Sequence, residues 1–349
     1  MQQFNPFYSV PPMEVINRIN KSTEKKILRA RSNWLGAFFL FSFALQLIFV
    51  LLWGLIAGRL GVEGDLSSYV SSFEYTFYSP LILLLPMFIC AKASKIKITE
   101  IMPFEKCGFS LGFALFLFGF GGIFLGSLVA DLVYYFFPAT GYVFDMINTS
   151  SPETAGEYLA EILSTAAVPA LIEEIVFRGI ALGMLRRYGD RFAIVVSALL
   201  FALVHANFLQ IGLAVPAGLF LGYLVVRSGS LWPAIALHFA NNFIATVQNV
   251  LYDLFSMAFY PLLQNETAVS FAFSIALYVF YAVIFIIGCV LLRKHSKKHG
   301  ARPLCKGTVT CLTTAEKWRI HLLSPALIIG VGWYIVQAVI LLSPITLTV

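Results

Sequence analysis

The sequence predicts an all-α integral membrane protein, a polytopic transmembrane helical bundle of about nine spans. Its 349 residues are 59% hydrophobic and only 12% charged, and the mean hydropathy is +0.83. Soluble globular domains do not reach such values. The apolar residues also fall into repeated continuous blocks of about 20 residues, the length that a helix needs to cross a hydrocarbon core of about 30 Å.

The apolar blocks define the predicted spans in chain order. They cover residues 34–58, 76–93, 109–137, 158–185, 191–207, 210–226, 231–250, 271–292 and 323–343. The fifth and sixth blocks are short and lie close together, so one of them is expected to be tilted, kinked or partly re-entrant. In the third block, the glycines of GFGGIFLG (119–126) are expected to let neighbouring helices approach closely.

The segments that connect the spans alternate in charge, which predicts the orientation in the membrane. Lysine and arginine are concentrated before span one and in every second connection after it. By the positive-inside rule, the N-terminus therefore lies in the cytoplasm. The net charge of +6 then belongs to loops that flank the lipid bilayer. These loops lack interleaved stacking aromatics, so we expect no nucleic-acid partner.

A small set of polar side chains lies deep inside the predicted spans. A charged side chain there costs at least about 2.5–3.5 kcal/mol on insertion scales, so each is a functional-site hypothesis. The set comprises Glu173, Glu174 and Arg178 on span four, His205 on span five, and His238, Asn241 and Asn242 on span seven. At about 1.5 Å per residue, Glu173 lies about 19 Å from the cytoplasmic end of its span, His205 about 21 Å and His238 about 11 Å. Since helix tilts of about 20° can bring such levels together, one polar cluster near mid-membrane is predicted.

Helical spacing assigns partners on span four. Glu174 and Arg178 are four residues apart, so they share a helix face and can neutralise each other. Glu173 is rotated by about 100° from Glu174 and has no cation three or four residues later. This carboxylate is therefore available as a general base.

The two histidine motifs suggest the other parts of a hydrolytic site. His238 and Asn242 are four residues apart, so both project from one face of span seven and can donate two hydrogen bonds to one developing oxyanion. His205, on a third helix, is expected to hold or polarise a water beside Glu173. A base, a positioned water and two donors are what the addition of water to an amide carbonyl requires, so peptide-bond hydrolysis is predicted.

Two other interpretations stay open. A buried Glu–Arg pair is often structural, and an intramembrane His or Asn often bonds a neighbouring helix, which would make the chain a non-catalytic membrane scaffold or immunity protein. A proton relay through Glu173 and the histidines would instead make it a transporter. The convergence of polar side chains from three helices favours the enzyme. The sequence contains neither the HExxH zinc motif nor a GxSxG serine turn.

Three motifs in order carry a family resemblance. Glu-Glu-x-x-x-Arg begins at Glu173, Phe-x-x-x-His joins Phe201 to His205, and His-x-x-x-Asn joins His238 to Asn242. Together they resemble the motif set of the CAAX protease and bacteriocin-processing family (CPBP, also called Abi), which includes the type II CAAX prenyl endopeptidases. The resemblance covers roughly residues 155–255, and the text EEIVFRG is similar to bacterial members.

The resemblance implies a role for each motif residue. Glu173 and His205 would activate water, and His238 and Asn242 would form the oxyanion site. The remaining motif positions, Glu174 and Arg178, are expected to form a supporting ion pair. The substrate would be a membrane-associated or lipidated peptide or protein, such as a bacteriocin precursor, and the location a bacterial cell membrane.

The predicted spans and the resemblance together divide the chain into four parts. They are a cytoplasmic basic N-terminal segment (1–33), N-terminal transmembrane helices (34–150), a CPBP/Abi-like catalytic helical core (151–255) and C-terminal transmembrane helices (256–349).

The resemblance leaves two possibilities for a metal. Glu173, His205 and His238 would suffice for a zinc site with an open position, and members of the family are often described as metalloproteases. However, Asn242 shares the helix face of His238, and a carboxamide is a poor zinc ligand. That face is better suited to hydrogen-bond donation. We therefore expect no cofactor, with zinc bound by the three named residues as the alternative.

Overall fold

Helices form nearly all of the described structure. The computed structural model describes residues 21–60, 76, 78, 80–136, 142–144, 154–300, 302–309, 311–340 and 342–344. Residues 1–20 of the predicted basic segment lie outside the described residues. The helices are α1 (Lys21–Leu60), α2 (Leu85–Ala93), α3 (Ile98–Ile101), α4 (Phe109–Phe136), α5 (155–185), α6 (Asp190–Leu203), α7 (Phe208–Ser228), α8 (Trp232–Leu263), α9 (Glu266–His299), α10 (Thr314–Leu322) and α11 (Pro325–Ile340). The predicted all-α class is confirmed.

Short irregular elements complete the architecture. A π-helical turn, Pro80–Leu84, leads into α2, and a 3₁₀ turn, Arg186–Tyr188, follows α5. Strand β1 (Tyr142–Phe144) pairs antiparallel with β2 (Leu342–Pro344).

Helix α5 changes its winding along its length. It consists of Ala155–Glu161, the π-helical Ile162–Ala167, Val168–Glu173, the π-helical Glu174–Ala181 and Leu182–Leu185. It begins with a capping box, in which Thr154 and Glu157 satisfy each other's backbone N–H groups. π-Helical turns are rare and occur often at functional sites, because they redirect side chains away from the α-helical rows. One of the two turns here begins at the second Glu of the pair.

The helices confirm the membrane character of the chain but not the number of spans. Among the described residues, four helical stretches are long and apolar enough to cross a bilayer: Lys21–Ile56, Phe109–Leu128, Gln210–Ser228 and Glu266–His299. The bent pair α10 and α11, at 67°, would make a fifth. Each of the predicted spans overlaps a described helix. The chain is therefore an integral membrane protein, while the count of nine remains a prediction.

The predicted fifth span is shorter than its apolar block. Helix α6 ends at Leu203 rather than near residue 207, because Ala206 adopts a left-handed backbone (φ 49°) that stops the helix. Its 14 residues correspond to about 21 Å, less than the hydrocarbon thickness. As a result, His205 lies in the tight turn between α6 and α7 rather than on a helix.

Glycines bring α4 into close contact with its neighbours, as predicted. A Cβ at Gly121 would lie 2.5 Å from the backbone nitrogen of Phe285 on α9, and one at Gly126 would lie 2.5 Å from Pro216 on α7. Since no real side chain tolerates such distances, only glycine allows these helices to pack at this separation. Helix α4 thus packs against α7 and α9.

The link between α9 and α10 is docked on the C-terminal end of α5. Within this docked link (residues 302–309), Cys305 N–H donates to the Asp190 carboxylate at 2.8 Å, and Asp190 N–H donates to the Cys305 carbonyl at 2.9 Å. Gly189 (φ 120°) and Gly307 (φ 94°) make the close backbone approach possible, since both adopt conformations that favour glycine. The end of the site helix is therefore fixed by a segment more than one hundred residues later in the chain.

A buried carboxylate ties α1 to the same place. Glu24 is 1% exposed, its carboxylate pairs with Arg187, and the Tyr188 hydroxyl donates to it at 3.1 Å. Burial raises the pKa of the Tyr188 hydroxyl, so this group keeps its proton and acts as a donor. Lys317 of α10 donates to the Tyr188 carbonyl at 2.6 Å. Helices α1, α5 and α10 are thus joined by one buried polar cluster.

Candidate active site

The centre of the site is a buried ion pair on α5. Glu174 and Arg178 are both fully buried, and Arg178 Nη1 donates to Glu174 Oε1 at 2.7 Å. The pair predicted from the four-residue spacing is therefore present. The guanidinium also lies 4.1 Å from the centre of the Phe201 ring, an arrangement that stabilises a desolvated cation. Phe201, which the sequence offered only as a motif residue, thus has a physical role in the cluster.

The neighbouring helix α8 adds an imidazole to this pair. His238, which is 5% exposed, places Nδ1 2.9 Å from Glu174 Oε1. Since an ionised carboxylate only accepts, the Nδ1–H donates to it. Oε1 of Glu174 therefore accepts hydrogen bonds from both Arg178 and His238. This fixes the orientation of the His238 ring, as carboxylates do for histidines in many sites.

Glu173 lies on the other side of the same imidazole. Its Oε2 is 3.7 Å from His238 Nε2, and its side chain is 12% exposed, whereas that of Glu174 is 0% exposed. As predicted, Glu173 has no cation three or four residues later on its own helix, and α8 supplies one potential partner. Of the two adjacent carboxylates, Glu173 is the more accessible and has no arginine within ion-pair distance among the described residues.

His205 is tied to the end of its own helix. The Phe201 carbonyl accepts a hydrogen bond from His205 Nδ1 at 3.0 Å, so the neutral ring carries its lone pair on Nε2. The Phe201 ring contacts His205 edge-on at 5.2 Å and His238 edge-on at 5.6 Å. Phe201 therefore lies between the two histidines and holds both rings at defined angles.

Asn242 projects from α8 towards α5. Its Nδ2 donates to the Thr165 carbonyl at 3.0 Å, and its Oδ1 accepts from Asn241 Nδ2 at 3.1 Å. These two bonds define which end of the carboxamide is the donor, and they leave the second N–H of Nδ2 for another acceptor. The sequence indicated neither contact, because both depend on how α5 and α8 pack.

The structure brings four of the six predicted site residues into direct contact. Arg178, Glu174, His238 and Glu173 form one connected group. The other two, His205 and Asn242, are each anchored by a backbone carbonyl. Contacts across helices thus link residues whose relation the sequence motifs only implied.

The three residues named as alternative zinc ligands are not grouped around one point in the described structure. Among the residues that the structure describes, no three His, Cys, Asp or Glu side chains are placed to hold one ion. His238 Nδ1 is engaged by Glu174, and its Nε2 faces Glu173 at a distance longer than a hydrogen bond. As they stand, Glu173, His205 and His238 do not fit zinc.

Part of the chain matches a model of a known protein family. The family model described as type II CAAX prenyl endopeptidase Rce1-like matches residues 155–244, a range that contains all six predicted site residues. No curated protein and no solved structure matches the chain.

Proposed function

Because the chain belongs, over residues 155–244, to the type II CAAX prenyl endopeptidase Rce1-like family, we propose that it hydrolyses a peptide bond of a membrane-associated or lipidated peptide or protein. The family supports a CAAX-type intramembrane endopeptidase in general. The observation that carries the specific proposal is the buried group in which Glu173 and Glu174 flank the imidazole of His238. Such a group is costly in a membrane helix bundle and has the components of acid–base chemistry.

Charge balance suggests the resting state of the group. Two carboxylates and one guanidinium would leave a net negative charge in a buried place, which is unfavourable. A protonated His238 makes the group neutral and gives both ring nitrogens a proton. In this state Nδ1–H donates to Glu174, while Nε2–H is available to a substrate oxygen.

Glu173 is the proposed general base. One proton of the attacking water goes to the Glu173 carboxylate. The other proton stays on the water oxygen and forms a hydrogen bond to the lone pair of His205 Nε2. The water oxygen bonds to the scissile carbonyl carbon, and the carbonyl oxygen becomes an oxyanion. The C–N bond then breaks, and the proton on Glu173 passes to the leaving amine. Protons and charge balance with no further reactant.

His238 and Asn242 are the proposed oxyanion donors. Nε2–H of His238 and the second N–H of Asn242 come from successive turns of α8, and α5 holds His238 through Nδ1 and Asn242 through the first N–H of Nδ2. Donors fixed before the reaction stabilise the developing charge without reorganisation. Glu174 and Arg178 take no proton in this scheme and hold His238 in position.

The bilayer supplies the substrate to this site. A lipid-anchored or membrane-embedded peptide is confined to the same two-dimensional phase as the enzyme, which raises its effective concentration. Prenylated substrates require a cell that prenylates proteins, whereas in a bacterium peptide precursors such as bacteriocins are the proposed class. We place the N-terminus in the cytoplasm, in agreement with the charge of the loops.

A reconstituted cleavage assay tests the proposal. The protein in lipid vesicles is given one fluorogenic peptide in three forms: prenylated, fused to an apolar helix, and without an anchor. We expect cleavage of the anchored forms, and a kcat about 10²-fold lower for His238→Phe, since this variant loses an oxyanion donor. His299→Phe, at the exposed end of α9, is the matched control and should retain full activity. Equal rates for wild type and His238→Phe would refute the assigned role, and failure to cleave any anchored peptide would favour the scaffold alternative.

We further propose that the reaction needs no metal. Treatment with a strong chelator followed by its removal is expected to leave the cleavage rate unchanged, and added zinc should not increase it. The reason is that Glu174 engages His238 Nδ1, and Glu173, His205 and His238 are not grouped as metal ligands among the described residues. Loss of activity on chelation, with recovery on adding zinc, would establish the zinc-dependent alternative instead.

A further inference from the structure

The carbonyl that holds Asn242 is placed next to a proline on the same helix. The backbone carbonyl of Thr165 accepts a hydrogen bond from the Asn242 side-chain amide, and Pro169 lies four residues after Thr165. In an α-helix, the carbonyl of residue 165 would bond the amide N–H of residue 169. Proline has no such N–H, and its ring also pushes away the carbonyl four residues before it.

The backbone around Pro169 remains helical, so the effect is local. Ala167 (φ −74°, ψ −53°) and Val168 (φ −66°, ψ −48°) both have helical angles. The Val168 N–H bonds the Leu163 carbonyl, five residues earlier, which is the bonding pattern of the π-helical turn Ile162–Ala167. The helix thus passes from the π-helical to the α-helical register at Pro169, which supplies no N–H to the carbonyl of residue 164 or of residue 165.

We infer that Pro169 is a positioning residue for the reaction, acting through Asn242. By removing one N–H and tilting one carbonyl, it creates an acceptor on α5 that captures one N–H of the Asn242 amide. The Asn241 side chain fixes the other end of the same amide. The second N–H is then directed to the oxyanion. This inference rests on the proposed function, because it concerns the donor role of Asn242.

Replacing Pro169 is expected to have two opposite effects, one on helix stability and one on the orientation of Asn242. A proline inside a helix lowers helix stability relative to alanine, so restoring the N–H should strengthen α5. It should also supply the Thr165 carbonyl with a competing donor and draw it back to the helix axis. Asn242 would then lose its fixed orientation.

The test is a double-mutant cycle between Pro169→Ala and Asn242→Ala. We expect Pro169→Ala to lower kcat about fivefold, the scale of one neutral hydrogen bond, with KM unchanged and thermal stability equal or higher. Asn242→Ala should lower kcat about 10²-fold, the scale of a lost oxyanion donor. In the Asn242→Ala background, adding Pro169→Ala should have no further effect, because effects that act through one residue are not additive.

Each other outcome overturns a defined part of the argument. Pro216→Ala, which removes a proline inside α7, is the matched control and should leave kcat unchanged. If Pro169→Ala has the wild-type kcat while Asn242→Ala is impaired, the inference fails and the proposed function survives. If the two losses multiply fully, Pro169 does not act through Asn242. If Asn242→Ala has the wild-type kcat, the oxyanion assignment itself is wrong.

Discussion

Replacing Glu173 with Gln is expected to lower kcat for an anchored peptide by about 10³-fold, within the usual range for the loss of a general base. Glutamine has nearly the same shape but cannot take a proton from water. Because the base acts in the transition state and not in substrate binding, KM should change little. The measurement is single-turnover cleavage in vesicles, with thermal unfolding in parallel to show that the fold is retained.

The matched control for this variant is Glu161→Gln, the same change twelve residues earlier on α5. Glu161 is half-buried, and its backbone carbonyl, not its carboxylate, is engaged by Ser164 and Thr165. The Glu161→Gln variant should therefore retain the wild-type activity. A Glu173→Gln variant that cleaves at the wild-type rate would remove Glu173 from the mechanism.

Replacing Arg178 with Met is expected to destabilise the protein by about 3–5 kcal/mol, because it leaves Glu174 as a buried charge without its cation. Both side chains are 0% exposed, so water cannot replace the lost partner. Thermal or denaturant unfolding in detergent gives the measurement. Activity should fall as well, since His238 depends on Glu174 for its position.

Two further variants separate the charge effect from general damage. Lys97→Met breaks a pair of the same kind at the surface, where the two side chains are 77% and 60% exposed, and should cost less than about 1 kcal/mol. Arg178→Met combined with Glu174→Leu removes both buried charges and should recover part of the stability without recovering activity. If Arg178→Met is as stable as Lys97→Met, Glu174 is not held as a buried carboxylate.

Local spacing explains what could be predicted from the sequence. The Glu174–Arg178 pair needed only the geometry of one helix, and the all-α class needed only composition and block length. The glycine contacts of α4 were also foreseen, because a run of glycines in an apolar block has few other uses. Each of these depends on residues close together in the chain.

Packing between helices explains what could not be predicted. The helical spacing predicted that Glu173 has no partner on its own helix, whereas α8 places His238 beside it. Likewise, Asn242 was expected only as a donor to substrate, and its bond to the Thr165 carbonyl depends on the approach of α8 to α5. His205 was placed on a helix because the apolar block continues past the left-handed Ala206, which apolar periodicity does not detect.

The docked link sets a limit on how small a working fragment can be. All six proposed site residues lie between residues 155 and 244, so a protein engineer would be tempted to express or transplant that stretch alone. Such a fragment would lack residues 302–309, and Asp190 and the Gly189 turn would lose the backbone partners that close the end of α5. A chimaera that exchanges this core between two relatives must therefore carry both segments from the same parent. The two segments depend on each other structurally, although they are far apart in the sequence.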